Sequence, residues 1–194
     1  MVDPFIGTNE FVTTVPSLFD FDTDSDGNLY GISGSRVLHR FDEPTDSWIR
    51  VGGFTGSSGN GFAIDSGGVG YITAGNNLYS LNLETAESTL VGAMGGGFRS
   101  SGDCVVDKSN QLFMTSSGSG PDTLVAIDRL TGEARLVGST GSSGIWGLTA
   151  AWGFLFGFTS SGQVVEIDPG TGAAIVRHTF SGLPWYGAAS SPDR

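Results

Sequence analysis

The sequence predicts an all-β fold of repeated four-stranded antiparallel units, a β-propeller, on three observations. Val, Ile, Phe, Tyr and Thr fall in short bursts between clusters of Gly, Ser, Asn and Asp, with 32 glycines among 194 residues, a composition of short strands and tight turns. Four segments align with one another: LHRFDEPTDSWIRVG from Leu38, LYSLNLETAESTLVG from Leu78, LVAIDRLTGEARLVG from Leu124 and VVEIDPGTGAAIVRH from Val164. Their turn threonines, Thr45, Thr85, Thr131 and Thr171, are spaced 40, 46 and 40 residues apart. Repetition at roughly 40 to 45 residues with four strands per repeat marks a propeller. A two-sheet sandwich has no reason to use the same turn chemistry four times.

Each aligned segment supplies two strands, c and d, joined by the threonine turn. Upstream of each lies a strand b (LYGI, GYIT, LFMT, LFGF), and upstream of that a strand a (LFDFD, GFAID, DCVVD, GLTAA). The repeats therefore span about residues 18–60, 61–102, 103–146 and 147–185 of a single domain. The ends supply the remainder. Tyr186 to Ser190 reads as a further strand a and EFVTTV, from Glu10, as a strand d, so residues 2–15 and 186–190 are expected to close a ring of five blades, with four as the alternative. That closing blade is short of strands, and its unpaired edge implies self-association or docking by strand addition.

LVAIDRLTGEARLVGSTG and VVEIDPGTGAAIV resemble the repeats of bacterial propeller proteins of the pattern L-Y-x-I-D-x-x-T-G-x-x-x-x-V-G. The resemblance runs from about Leu18 to Ser190 and implies the fold; scaffolds, binders and occasional enzymes all use it. Neither the Gly-His and Trp-Asp pairs of WD40 repeats nor a kelch Gly-Gly pair recurs.

Nine basic against twenty acidic residues give a net charge of -11. Such a surface repels phosphate backbones and anionic membranes, so neither nucleic acid nor a membrane is expected as a partner. No window approaches a membrane span, and the N-terminus lacks a signal-peptide pattern. The expected setting is extracellular, or a virion or other particle. Cys104 stands alone, which leaves no intrachain disulfide and no cysteine metal site, and its apolar neighbours suit a small buried thiol.

Two stretches invite a functional reading. In DFDTDSDGNLYGI, Asp22, Asp24 and Asp26 alternate before Gly27, as the oxygen ligands of a calcium loop do. The twelfth position is Ser33 where an EF-hand needs Glu, so calcium binding requires a propeller-type cage; the bland reading is a hairpin turn that uses Asp and Gly for its backbone geometry. The d to a loops repeat Ser-Ser-Gly from Ser57, Ser100 and Ser142 and should ring one mouth of the central channel. There Trp146, Trp185 and Tyr186, with Phe98 as a weaker member, suit a sugar or a partner's apolar side chain. As packing, the same aromatics would wedge between blades.

No residues are assigned to catalysis. His39 and His178 lie in different repeats, no nucleophile elbow, zinc motif or phosphate loop occurs, and the neighbours Asp20 and Asp22 mean little without a pocket. The expectation is a non-catalytic binding module for protein or glycan. The alternatives are a structural subunit of a virion, tail or surface layer, and a calcium-stabilised extracellular propeller.

Overall fold

Two side-chain devices recur, each in three of the four units. At the a to b turn a carboxylate accepts from backbone N–H groups two and four residues on: Asp24 from Asp26 (3.0 Å) and Asn28 (2.8 Å), Asp65 from Gly67 (2.9 Å) and Val69 (3.0 Å), Asp107 from Ser109 and Gln111 (both 2.9 Å). At the c to d turn Asn82, Asp128 and Asp168 accept from the N–H groups two and three residues on. The turn threonine then receives the next strand, as Thr131 Oγ1 does from the Glu133 N–H at 3.2 Å. The repeated Asp and Thr are thus hydrogen-bond caps for chain reversals.

Between these turns the computed structural model, which describes residues 1–10 and 17–190, places four four-stranded antiparallel blades in a ring. Blade 1 holds β3 (Leu18–Thr23), β4 (Leu29–Ser33), β5 (Val37–Asp42) and β6 (Ser47–Gly53); blade 2 holds β7 (Gly61–Ile64), β8 (Val69–Ala74), β9 (Asn77–Asn82) and β10 (Ser88–Ala93). Blade 3 holds β11 (Ser100–Val106), β12 (Leu112–Ser116), β13 (Thr123–Ile127) and β14 (Ala134–Ser139); blade 4 holds β15 (Ile145–Ala151), β16 (Phe154–Thr159), β17 (Gln163–Ile167) and β18 (Ala174–Thr179). The first strand of each blade is innermost, with β3 beside β7, β7 beside β11 and β11 beside β15. Apolar side chains alternate between the two faces of each sheet, so the core is a set of inter-blade layers. Phe62 and Ile64 pack on Ile32 and Leu38, Cys104 and Met114 on Ala63 and Leu78, and Leu148 and Leu155 on Val105 and Phe113.

The glycine that ends each V-G has its cause in this layering. A Cβ on Gly92 would lie 2.0 Å from the Thr131 carbonyl oxygen, and one on Gly138 1.9 Å from that of Thr171. Each glycine is the seat for the next blade's c to d turn, and only a bare backbone allows the approach.

The fifth place in the ring is not a sheet. Tyr186–Ser190 carries no strand, although it runs between β15 and β3: Ser190 Oγ donates to the Ala150 carbonyl, and Thr23 Oγ1 donates to the Ser190 carbonyl (both 2.5 Å). Among the described residues no strand forms a ladder with it. At the N-terminus only β1 (Val2–Asp3) and β2 (Thr8–Asn9) pair, as a two-stranded ribbon. The predicted strand d from Glu10 falls, beyond that residue, outside the described residues.

Candidate functional site at the channel mouth

The inner strands open with irregularities. Register shifts between Leu18 and Asp20 and between Ile145 and Gly147 leave Phe19 and Trp146 as bulged residues, and a bulge re-aims its side chain. Ile145 is pinned from both sides, its N–H donating to Asp122 (2.8 Å) and its carbonyl accepting from Ser101 (3.1 Å) and Thr115 (3.2 Å). Gly102 lies beneath Trp146, where a Cβ would come within 2.5 Å of the Trp146 Cα. The backbone that carries the indole is therefore held in place. Tyr186 stacks on it, centroids 5.3 Å apart and planes 29° apart, and is 62% exposed.

Trp146 and Tyr186 are thus brought together at the mouth, while Trp185 and Phe98 turn inward. Trp185 meets Phe158 and Phe180 edge-on, both at 5.8 Å, and its buried Nε1 finds no partner among the described residues. Phe98 packs against the layer between blades 2 and 3. The Ser-Ser-Gly motif hides two positioning residues, Ser101 and Gly102, that sequence reading takes for turn formers.

Below the mouth two carboxyls meet. Asp20 and Asp103 hold the same strand-a position in blades 1 and 3, with Gly61 and Gly147 between them in blades 2 and 4. They are 1% and 0% exposed and close enough for each to shift the other's titration. Each also joins two blades, Asp20 accepting from the Phe62 N–H and Asp103 from the Leu148 N–H (both 2.6 Å). Burial pushes Asp103 up to about 7, and burial followed by the charge of Asp103 pushes Asp20 well above the usual carboxylate range. In neutral solution the pair retains a proton. The signal in the sequence is the Asp-Gly-Asp-Gly alternation at one aligned position; taken alone, Asp20 looks like an ordinary strand-end acid.

The three acids of DTDSDG are not gathered. Asp22 is buried and accepts from Thr23 (2.9 Å) and from the Ile64 N–H of blade 2 (2.8 Å). Asp24 caps its own turn and also accepts from the Asn28 side chain (2.8 Å), and Asp26 is exposed. Among the described residues no group of three or more His, Cys, Asp or Glu is placed to hold a metal. A cleft of about 220 Å³ at this end is lined by Asp24, Asp65, Asp107 and Lys108, but the three aspartates serve turns and Asp65 also pairs with Arg129. The thermal midpoint is expected to be the same in millimolar calcium and in chelator; a rise of several degrees with calcium would show that these acids regroup around the ion.

The architecture matches known propellers. The chain superposes on hydrazine synthase of Kuenenia stuttgartiensis with a TM-score of 0.62 at 17% identity, covering 90% of this chain and 53% of that one. It superposes on a chain of a nidogen/laminin complex with a TM-score of 0.66 at 15% identity, covering 89% and 68%. A third likeness is to the PQQ-bound aldose sugar dehydrogenase of Streptomyces coelicolor, with a TM-score of 0.64 at 13% identity, covering 93% and 73%. The chain spans about half the length of the hydrazine synthase chain it matches. No family model and no curated protein matches the sequence. At these identities the likeness is one of fold: the chain is a β-propeller, a class that includes enzymes and binding domains alike.

Proposed function

We propose that this propeller is a non-catalytic binding module, related in its repeats to the bacterial propellers it resembles, that grips protein or glycan at the channel mouth. The observation that carries the reading is the stack of exposed Tyr186 on half-buried Trp146, whose backbone is pinned by Asp122, Ser101 and Gly102. A rigid aromatic face suits a ligand that offers a flat apolar surface, either a sugar ring or an apolar side chain.

Glycan and protein arrays probed with the purified chain test this. Tyr186→Ala is expected to weaken the strongest signal about tenfold, the loss from truncating an aromatic contact worth roughly 1.4 kcal/mol, while moving the thermal midpoint by no more than about 2 °C, because the ring is exposed. Binding that survives Tyr186→Ala combined with Trp146→Ala would exclude the mouth.

A second reading, a structural subunit of an extracellular assembly or particle, is favoured by the unfilled fifth place in the ring. Light scattering over a concentration series separates the two, since a subunit that works by self-contact associates as concentration rises and a binding module stays monomeric.

A further inference from the structure

The N-terminal ribbon repeats the aspartate and glycine bonds of a blade's c to d hairpin. Asp3 Oδ1 accepts from the Phe5 N–H (2.9 Å) and the Ile6 N–H (3.1 Å), and Gly7, at φ +69°, donates its N–H to the Asp3 carbonyl (3.0 Å). In blade 4, Asp168 accepts from Gly170 and Thr171 (both 2.8 Å), and Gly172, at φ +77°, donates to the Asp168 carbonyl (2.8 Å). VDPFIG therefore stands in register with IDPGTG.

The ribbon also sits where a fifth hairpin belongs. Gly172 lies on Gly138 of the preceding blade, and Gly7 lies on His178, the residue of blade 4 that aligns with Gly138. Arg129 of blade 3 lies over Tyr71 of blade 2 at 5.6 Å, and Phe5 meets Phe156, which aligns with Tyr71, at 5.7 Å. With Tyr186–Ser190 on the path of strand a, the fifth place has its inner strand and its outer hairpin. The position between them, strand b, has no occupant among the described residues.

The face of blade 1 that looks into this place is correspondingly undercovered. Phe21, Leu29, His39 and Phe41 are half-buried, whereas the residues aligned with them in blade 3, Cys104, Leu112, Val125 and Ile127, are 2% exposed or less. A cleft of about 400 Å³ lined by Ser17, Phe19, Ser33, Ser35 and His39 opens on the same side. Trp48, tilted against Phe41 with centroids 5.4 Å apart, keeps a buried Nε1 with no partner among the described residues.

We propose that the fifth-blade position binds an extended segment of a second, different polypeptide as its strand b. The four strands b in the ring state the chemistry that fits: five or six residues rich in Leu, Phe, Tyr and Ile, with a central Gly in two of them, LYGIS and FLFGFT. Such a segment gains ladder bonds from strand a and β1 and covers the aromatic face of blade 1. The net charge of -11 favours a segment flanked by lysines or arginines.

The probe is a synthetic peptide, KKGFLFGFTSKK, built on residues 153–160, tested by thermal unfolding and tryptophan fluorescence of the full chain. Saturable binding in the micromolar range is expected, with a midpoint that climbs with peptide concentration and newly protected amides at residues 186–190 in hydrogen exchange. The same peptide with Pro for its central Gly removes a ladder donor and should have no effect. Equal effects of the two peptides, or no effect of the first at millimolar concentration, would overturn the proposal. So would sedimentation showing that the chain alone dimerises with protection of the same amides, since the place would then be filled by a second copy.

Discussion

Asp20→Ala is expected to destabilise the protein by about 2–5 kcal/mol, the cost of leaving buried hydrogen-bonding groups without their partner. The substitution orphans the Phe62 N–H of blade 2 and strips Asp103 of its carboxyl partner in the channel. For a domain of this size the thermal midpoint should fall by several degrees or more. A loss below about 1 kcal/mol would mean that the blade 1 to blade 2 joint does not depend on this side chain.

The same pair sets an unusual pH dependence. The folded-state pKa of Asp103 lies near 7, above that of an unfolded aspartate, so the folded chain holds a proton that the unfolded chain releases. The stability this contributes is complete below about pH 4 and is lost as the pH rises through about 7, and Asp20, also raised by burial, adds to the loss in the same direction. Asp128 and Asp168 oppose it, their carboxylates being held below the ordinary range by turn N–H groups, but both are fully exposed. Denaturant titrations at pH 5 and pH 8 should therefore show the native protein more stable at pH 5. Asp103→Asn can keep the Leu148 bond, gives up the one from the Cys104 N–H, and removes the titrating group, so it should flatten the profile. An unchanged profile in that variant would place the titration elsewhere.

Gly138→Ala should cost about 2–4 kcal/mol, because its new Cβ would meet the Thr171 carbonyl at 1.9 Å and backbone cannot step aside as a flexible side chain can. The damage falls on the joint between blades 3 and 4, so hydrogen exchange should quicken first in β17 and β18. Gly118→Ala is the control: nothing lies within 4 Å of its Cβ, and the change should be near neutral. Similar losses from both would remove the seat as the reason for the glycine.

The blades are legible because their signals are local. Strand apolarity, an Asp or Asn at each turn and a Thr three residues later act within a few residues of chain, and the same bonds recur at Asn82, Asp128 and Asp168. The hairpin at Asp3 uses that bond set too, but Ile6 stands where the other turns have Thr, which hides it from an alignment built on threonine. The site is less legible. Trp146, Trp185 and Tyr186 have equal claims as residue types; what separates them is the bulge at Ile145–Gly147 and the inward turn of Trp185 onto Phe158.

The sequence by itself determined that this chain is a ring of four-stranded units, since the periodicity of strands and turn caps is written along it. Only the tertiary structure decided where the acids go. Asp22 and Asp24, adjacent in a candidate cage, are drawn apart, one to a neighbouring blade and one to its own turn. Asp20 and Asp103, 83 residues apart in the chain, are brought together in the channel. The physical reason is that a carboxylate's partner is set by distance through space, and in a propeller the shortest distances run across the ring.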